Sequence, residues 1–489
     1  MTDLKHLRPK AKIFQRVQPS LKKMWCVAVI IGALTQTASA QDTLTTWLYN
    51  TSITLNGSAT GANITATQYN FPVLIRLTSS NAAAVFAEAQ SNGGDLRFSH
   101  AGDTGQIPYQ ISYYNSTTQK AFIWVKADSV TPSATPQTIR MWWGKSSATT
   151  TSNSAAVFVP ANGFGLVWHL DSCTGTSQPY SFFDATGNGH TGTGSGANGT
   201  VDSPSVIDSS RAFCKEATPG YDSIYVTNML GSHAAVTLSA WVKLDSVDQS
   251  SKQCTFMSLG NNVSLQTNGG ATRDSLHAAY HYGTSSNGGW HSINAASGDM
   301  ILKKGWSYIT YVVNPSGSSQ VLYINGNSVG SGTSDSAITY FTSGTGWGPN
   351  TALGIDEGAG QTAEKFFGTM CEARFDTTAR SANWIKLCYE NQQAADALTS
   401  LNASYTVSYT NGTQSVAQVA PITTMVPTTN ITGTLTYSIA SGALPLGVSL
   451  NPNTGYISGS PMVVGTFSFT ITVTGTGGPA TSGTISITV

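Results

Sequence analysis

Two carboxylates two or four residues apart on one strand face the same way, and a retaining glycosidase needs such a pair about 5–5.5 Å apart as acid and nucleophile. Glu372 and Asp376 have this spacing, and Asp356-Glu357 with Glu364 form a second acidic group. Asp356 and Glu357 point to opposite faces if extended, and the glycines after them favour a loop. The Glu-x-Asp-x-x-Glu pattern of glucanases is absent, so these acids read as a strand-end charge and a solvated loop. His277 and His281 share one face of a strand and offer a surface metal position, but the Glu that accompanies such a pair in a helical zinc site is missing. Nothing assembles a nucleophile with its base, and no residue is assigned a catalytic role.

Binding needs different chemistry. The C–H face of a sugar stacks on an exposed aromatic ring with amides or hydroxyls beside it. Tyr282, Trp290 and Trp347 lie in segments rich in Gly, Ser and Asn and are the candidate carbohydrate platforms; the alternative is that each loop aromatic only covers packing. Trp241 and Trp306 read as core. Five cysteines, Cys173, Cys214, Cys254, Cys371 and Cys388, follow the first forty residues, and none forms a Cys-x-x-Cys pair, so a zinc site is poorly supported. In an oxidising compartment they are disulfide candidates, two bridges and one leftover thiol, with the pairing left open.

These residues sit in a chain of 489, too long for one domain, in which only 10% of residues are charged while 40% are apolar and 49 are glycine. Such a chain can bury a core, and its Gly-rich, weakly charged profile fits short strands and many turns. The net charge of zero hides an asymmetry: residues 1–23 hold seven basic groups and one acid, which leaves 17 basic against 23 acidic residues beyond them. A mildly acidic body without a basic stripe excludes nucleic acid as the expected partner. The basic start, the apolar Met24–Leu34 run and Ala38-Ser39-Ala40 have the layout of a secretory signal cleaved after Ala40. The run is shorter than the roughly 20 residues that span a bilayer, and no later segment is a membrane-span candidate. The expected location is therefore secreted or on the cell surface.

Three blocks follow the signal of residues 1–40. In residues 41–154, Phe71–Leu77, Asp95–Phe98, Phe122–Lys126 and Thr138–Trp143 read as strands, and Ser146–Ser154 as a linker. Residues 155–401 contain strand candidates Phe164–Leu170, Ser223–Val226, Val236–Val242, Ser307–Val313 and Val321–Ile324, with Asn325-Gly326 as a hairpin turn. Near the end of that block Ser381 caps a helix whose Trp384, Ile385, Leu387, Cys388 and Leu398 form an apolar stripe for a sheet. Residues 402–489 alternate with period two at Leu435–Ile439 and Phe467–Val473, which places one face inward. The predicted fold class is all-β and multidomain, built from β-sandwiches.

Several of these segments resemble known families. Trp47, Phe71-Pro72-Val73-Leu74, Gly94-Asp95-Leu96-Arg97-Phe98, Ile107-Pro108-Tyr109, Ile123-Trp124-Val125-Lys126 and Trp143-Gly144 resemble the bacterial domain of unknown function 2341. That family commonly precedes a lectin-like sandwich in exported proteins, and some members are fused to proton-channel proteins that energise the outer membrane. Gly165–Leu170, Asp184–His190, Leu238–Lys243, Trp306-Ser307-Tyr308, Leu322–Gly326 and Gly368–Arg374 are similar to the concanavalin A-like lectin/glucanase fold in its laminin-G-like form, a jelly roll. The family's usual Asp-Glu ending is Cys371-Glu372 here. Leu444–Asn451, Thr454–Pro461 and Gly465-Thr466-Phe467 resemble the bacterial putative immunoglobulin-like domain, usually a spacer or an adhesive unit.

The lectin resemblance implies a calcium-binding loop at Asp184–His190, where Asp184 and Asn188 supply oxygen for a hard cation. The other reading is an Asx-type turn in which Asp184 only satisfies backbone N–H groups. Together the resemblances imply a secreted or cell-surface binding protein for polysaccharide or glycoprotein, with Ca2+ as the expected ion. The alternatives are a glycoside hydrolase or lyase using Glu372, and a structural envelope component serving an energised transport system.

Overall fold

The computed structural model describes residues 44–489 apart from 103–104, 175–178, 196–200, 203–204, 214–221, 228–230, 248–252, 261, 270–274, 284–287, 297–304, 341–349, 356–363, 402–406, 430 and 477. The expected leader of residues 1–40, Cys214, Trp347 and Asp356-Glu357 lie outside the described residues. Among those described, no helix is long and apolar enough to cross a membrane.

The protein is an all-β, multidomain chain of sandwiches whose sheets are antiparallel apart from one parallel pair, Thr413–Ser415 with Ile485–Thr488. The first block pairs two sheets. One runs in the order Thr399–Leu401, Tyr49–Leu55, Gln137–Trp143, Arg97–His100, and the other Gln68–Thr78, Lys120–Val130, Tyr109–Asn115. Alternating β-branched and aromatic side chains send Trp124 and Trp143 fully inward, each burial contributing about 1.5–3 kcal/mol or more. The strand Thr399–Leu401 comes from the end of the lectin-like block, so the chain returns to complete the first sheet, with Leu401 opposite Ile53.

The lectin-like block stacks two eight-stranded sheets. The first contains Phe367–Asp376 at its middle, paired with Val236–Ser246 and Phe164–Trp168. The second runs from Gly289–Asn294 at one edge through Leu276–Tyr282, Val263–Thr267, Thr255–Leu259 and Thr351–Leu353 to Ser223–Val226 and beyond. Leu238, Phe256, Tyr280, Tyr311 and Phe375 fill the space between them. Asn325 and Gly326 both take left-handed backbone (φ 51° and 77°), the twist that a two-residue hairpin needs, and close the Ser319–Ile324 and Asn327–Gly332 pair.

The outer face of the first lectin sheet is not exposed. Trp241, Tyr308, Tyr323 and Cys371 join Phe71, Trp124 and Ile123 of the first block in one hydrophobic core. Between them lies the helix Ala382–Gln392, whose first turn is capped by Ser381 Oγ accepting from Trp384 N–H at 3.1 Å. Its Trp384 meets Phe71 edge-on at 5.0 Å, and its Gln392 accepts a hydrogen bond of 2.8 Å from Trp241 Nε1. Trp306, expected in the core, is half-buried against it. The third block has its own core, with Phe469, Ile471 and Val473 inward.

Candidate functional site

The second lectin sheet carries a row of small side chains on the face turned away from the core. Ala352, Ser258, Ser264, Ala279 and Ser292 are direct cross-strand partners over five strands. Their neighbours Leu353, Met257, Leu265, Ala278 and Ile293 point into the core, which fixes the outward direction of the row by strand alternation. Gln266, His277 and Asn294 flank one side of the strip, in register. His281 and Trp290 flank the other, with rings 5.2 Å apart and perpendicular. The floor is buried, Ser258 at 0% and Ala279 at 5%, and it opens to solvent at the sheet edge, where Trp290 is 41% exposed and Ser292 and Asn294 are exposed.

This strip is uncharged on its His277 side. Burial pushes the His277 imidazole down to about 4, and its Nδ1 lies 3.1 Å from the Gln266 amide nitrogen, so it accepts that N–H. Burial also lowers His281. Among the described residues the floor's Ser258 Oγ has no hydrogen-bond partner.

Trp290 therefore stands beside polar groups, as a sugar platform requires. Tyr282 does not share its face: it packs 4.3 Å from His291, on the side of Tyr280, which is stacked on the same imidazole at 5.1 Å. Adjacent strand positions alternate, so Tyr282 and Trp290 cannot meet the same sugar ring.

The Asp184–His190 loop is a closed turn. Asp184 is buried, and its Oδ1 accepts from Thr186 N–H (3.0 Å), Val167 N–H (3.3 Å) and Thr186 Oγ1 (2.8 Å). Its Oδ2 accepts from His190 N–H at 3.1 Å. Asn188 donates to the Gly165 carbonyl at 2.9 Å. N–H groups aimed at both carboxylate oxygens present positive hydrogens where a cation would sit, so this donor set does not suit Ca2+. Among the described residues no group of three or more His, Cys, Asp or Glu could hold a metal ion.

Glu372 faces the first block and not a groove. It adopts left-handed backbone (φ 53°) at a bulge where the pairing with Val236–Ser246 slips by one residue. Its Oε2 lies 2.6 Å from His169 Nδ1, and its Oε1 accepts from Arg374 Nε at 2.8 Å. His169 Nε2 reaches Gln110 of the first block at 3.2 Å and its ring stacks on Trp124, over which the Arg374 guanidinium also lies at 4.9 Å. Burial alone would raise Glu372, but His169 and Arg374 hold its carboxyl below the usual range. Burial would likewise lower His169, and the Glu372 charge raises it instead. Asp376, four residues on, is spent on Arg380, with contacts of 3.0 and 3.1 Å. The two acids form separate ion pairs, not an acid–nucleophile pair. The Gly-x-Ser-x-Gly spacing at Gly326–Gly330 falls in a hairpin strand, not a strand-to-helix elbow.

No disulfide joins any two of Cys173, Cys254, Cys371 and Cys388. Cys371 and Cys388 lie in the shared core, and burial pushes their thiols up to about 12 and about 11, which keeps them protonated. Ser205 Oγ lies 3.6 Å from Cys371 Sγ, and Arg374 Nη1 lies 3.9 Å from Cys388 Sγ.

The paired sheets form a β-sandwich, and the family matches agree with that fold. Residues 218–386 match the family described as the Concanavalin A-like lectin/glucanases superfamily. Residues 92–184 match the Domain of unknown function (DUF2341), and residues 397–489 the Putative Ig domain. The first of these matches runs through His169 and Asp184, past the expected linker. No curated protein matches the chain. Among solved structures, domain 4 of AbnA, a GH43 extracellular arabinanase from Geobacillus stearothermophilus in complex with arabinotriose, is 20% identical over 47% of this chain and 98% of that one, with a TM-score of 0.34. The binding domain of Paraclostridial Mosquitocidal Protein 1 is 14% identical over 46% of this chain and 52% of that one, with a TM-score of 0.33. The Botulinum Neurotoxin Type G receptor binding domain is 12% identical over 47% and 51%, with a TM-score of 0.33. The chain spans about half the length of the two toxin domains.

Proposed function

We propose that this is a binding protein of the cell exterior that recognises carbohydrate, free or on a glycoprotein, through its lectin-like block. The observation that carries this reading is the outward strip with Trp290 at its solvent end and amide and imidazole groups along both sides. An aromatic face beside hydrogen-bonding groups is what a sugar's alternating C–H and O–H surface requires. The lectin-family match over residues 218–386 supports it. Export, as the basic and apolar start of the sequence suggests, would bring the strip to extracellular glycans.

Glu372 does not favour the hydrolytic alternative. A general acid must arrive protonated, and this carboxylate is held ionised and sealed between His169 and Arg374.

Glycan arrays and pull-down on insoluble polysaccharides, each with and without Ca2+, test the proposal. Binding weakened tenfold or more by Trp290→Ala, with unchanged thermal melting, is the expected result. An absence of binding to every glycan under both conditions removes it.

A further inference from the structure

A second site lies where the first block meets the lectin-like block. A pocket of ≈ 540 Å³ is lined by Tyr69, Asn162, Thr377, Thr378, Arg380 and Trp384 among others, a size within the roughly 300–1,000 Å³ of small-ligand pockets. Its floor is Trp384, whose face is covered by the Arg380 guanidinium at 4.1 Å. At its mouth Tyr69 is 67% exposed, although it lies on the same strand as the buried Phe71. Asn70 between them takes left-handed backbone (φ 52°), which Asn tolerates, and this breaks the two-residue alternation that would otherwise turn Tyr69 inward.

The pocket's charge is already satisfied. Arg380, the one charged lining residue among the described residues, gives Nε and Nη2 to Asp376 at 3.0 and 3.1 Å and Nη1 to the Asn162 carbonyl at 2.9 Å. An anion would find no open cation here, and a cation no open carboxylate. The backbone groups at the rim are spent too: Thr377 N–H donates to Gly163 O at 2.8 Å, and the Thr378 carbonyl accepts from Thr237 Oγ1 at 2.8 Å. What remains for a ligand is neutral: an exposed aromatic face, the Asn162 amide and the Thr377 and Thr378 hydroxyls. The walls are preformed, since Gly163 (φ 91°) packs so closely that any Cβ there would meet Thr378 Cγ2 at 2.6 Å. A preformed wall lowers the ordering cost of binding.

We propose that this seam pocket is a second glycan subsite, taking a neutral sugar ring against Tyr69 with its hydroxyls toward Asn162, Thr377 and Thr378. It rests on the reading of the protein as a glycan binder but not on the strip at Trp290. Two sites on different faces would let one molecule grip two chains, or two points of one chain, and gain avidity.

The test titrates the full chain with neutral cello-, laminari-, xylo-, arabino- and malto-oligosaccharides, and with charged oligogalacturonate, in a Trp290→Ala background. The expected result is binding of at least one neutral oligosaccharide that weakens tenfold or more on adding Tyr69→Ala. Tyr69→Phe, which keeps the ring, is expected within about twofold of the Trp290→Ala parent. Equal binding with and without Tyr69→Ala overturns the seam site. If Trp290→Ala alone removes all binding, the seam site fails while the glycan reading stands. If the wild-type chain binds no member, both fail. Tyr69-dependent binding of oligogalacturonate in place of the neutral sugars overturns the ligand class.

Discussion

The Asn391 side chain completes the edge of a strand by pairing with Leu74 as another strand would. Its Oδ1 accepts from Leu74 N–H at 2.7 Å and its Nδ2 donates to Leu74 C=O at 2.9 Å. Leu74 lies on the strand Gln68–Thr78, at the edge of its three-stranded sheet, where these backbone groups would otherwise be buried without partners. The Arg76 guanidinium reinforces the same junction by donating to the Asn391 carbonyl at 2.7 Å. The lectin-like block is thereby fastened to the first block through backbone as well as through the shared core.

Asn391→Ala is expected to orphan one buried donor and one buried acceptor, costing about 2–6 kcal/mol at about 1–3 kcal/mol per group. Urea denaturation checks this. An unchanged midpoint would show that the junction carries no stability.

Glu372→Gln is expected to destabilise by about 3–5 kcal/mol, because it leaves His169 and Arg374 buried without their counter-charge. Glycan binding by whatever protein remains folded should be retained, since Glu372 is buried, at 1% exposure, and is not part of the strip at Trp290. Denaturation midpoints and glycan-array signals read the two effects separately.

Stability should depend on pH from both sides of this ion pair. Glu372 is held below its ordinary 4.5, so its contribution is present above that value and is lost as pH falls through the folded-state value. His169 is raised above 6.5, so its contribution is complete below 6.5 and is lost as pH rises through its folded-state value. Melting curves from about pH 3 to about pH 9 should show a wild-type plateau between the two limbs. A Glu372→Gln chain should lose most of the acid limb.

Asp184→Ala is expected to cost about 2–4 kcal/mol, since Val167, Thr186 and His190 N–H groups lose their shared acceptor. Because those donors occupy both oxygens, millimolar Ca2+ or its removal by chelation should leave the wild-type melting temperature unchanged. A rise with Ca2+ would show ligation by other residues or a rearranged loop.

Much of this was legible in the chain itself. Period-two alternation and Gly, Asn and Pro punctuation placed the strands, because a pleated chain with one face in a core must repeat every two residues. Asn325-Gly326 named its hairpin, since few residue pairs accept two successive left-handed conformations. Ser381 and the stripe from Trp384 to Cys388 marked the helix. The family motifs at Gly94–Phe98, Leu238–Lys243 and Thr454–Pro461 set the order of the blocks.

Tertiary structure decided what those local signals could not. Whether Tyr282 and Trp290 share a face depends on register across a hairpin, and one step of alternation separates them. Glu372 and Asp376 have the spacing of a catalytic pair, yet a bulge at Glu372, the reach of His169 from a distant strand and the local Arg380 four residues beyond Asp376 turned them into two sealed ion pairs. The seam pocket and the Asn391–Leu74 pairing join residues more than three hundred positions apart. Local pattern specifies which way a side chain points within its own strand; which partners it meets there is set only when separate sheets and the returning strand Thr399–Leu401 close on one core.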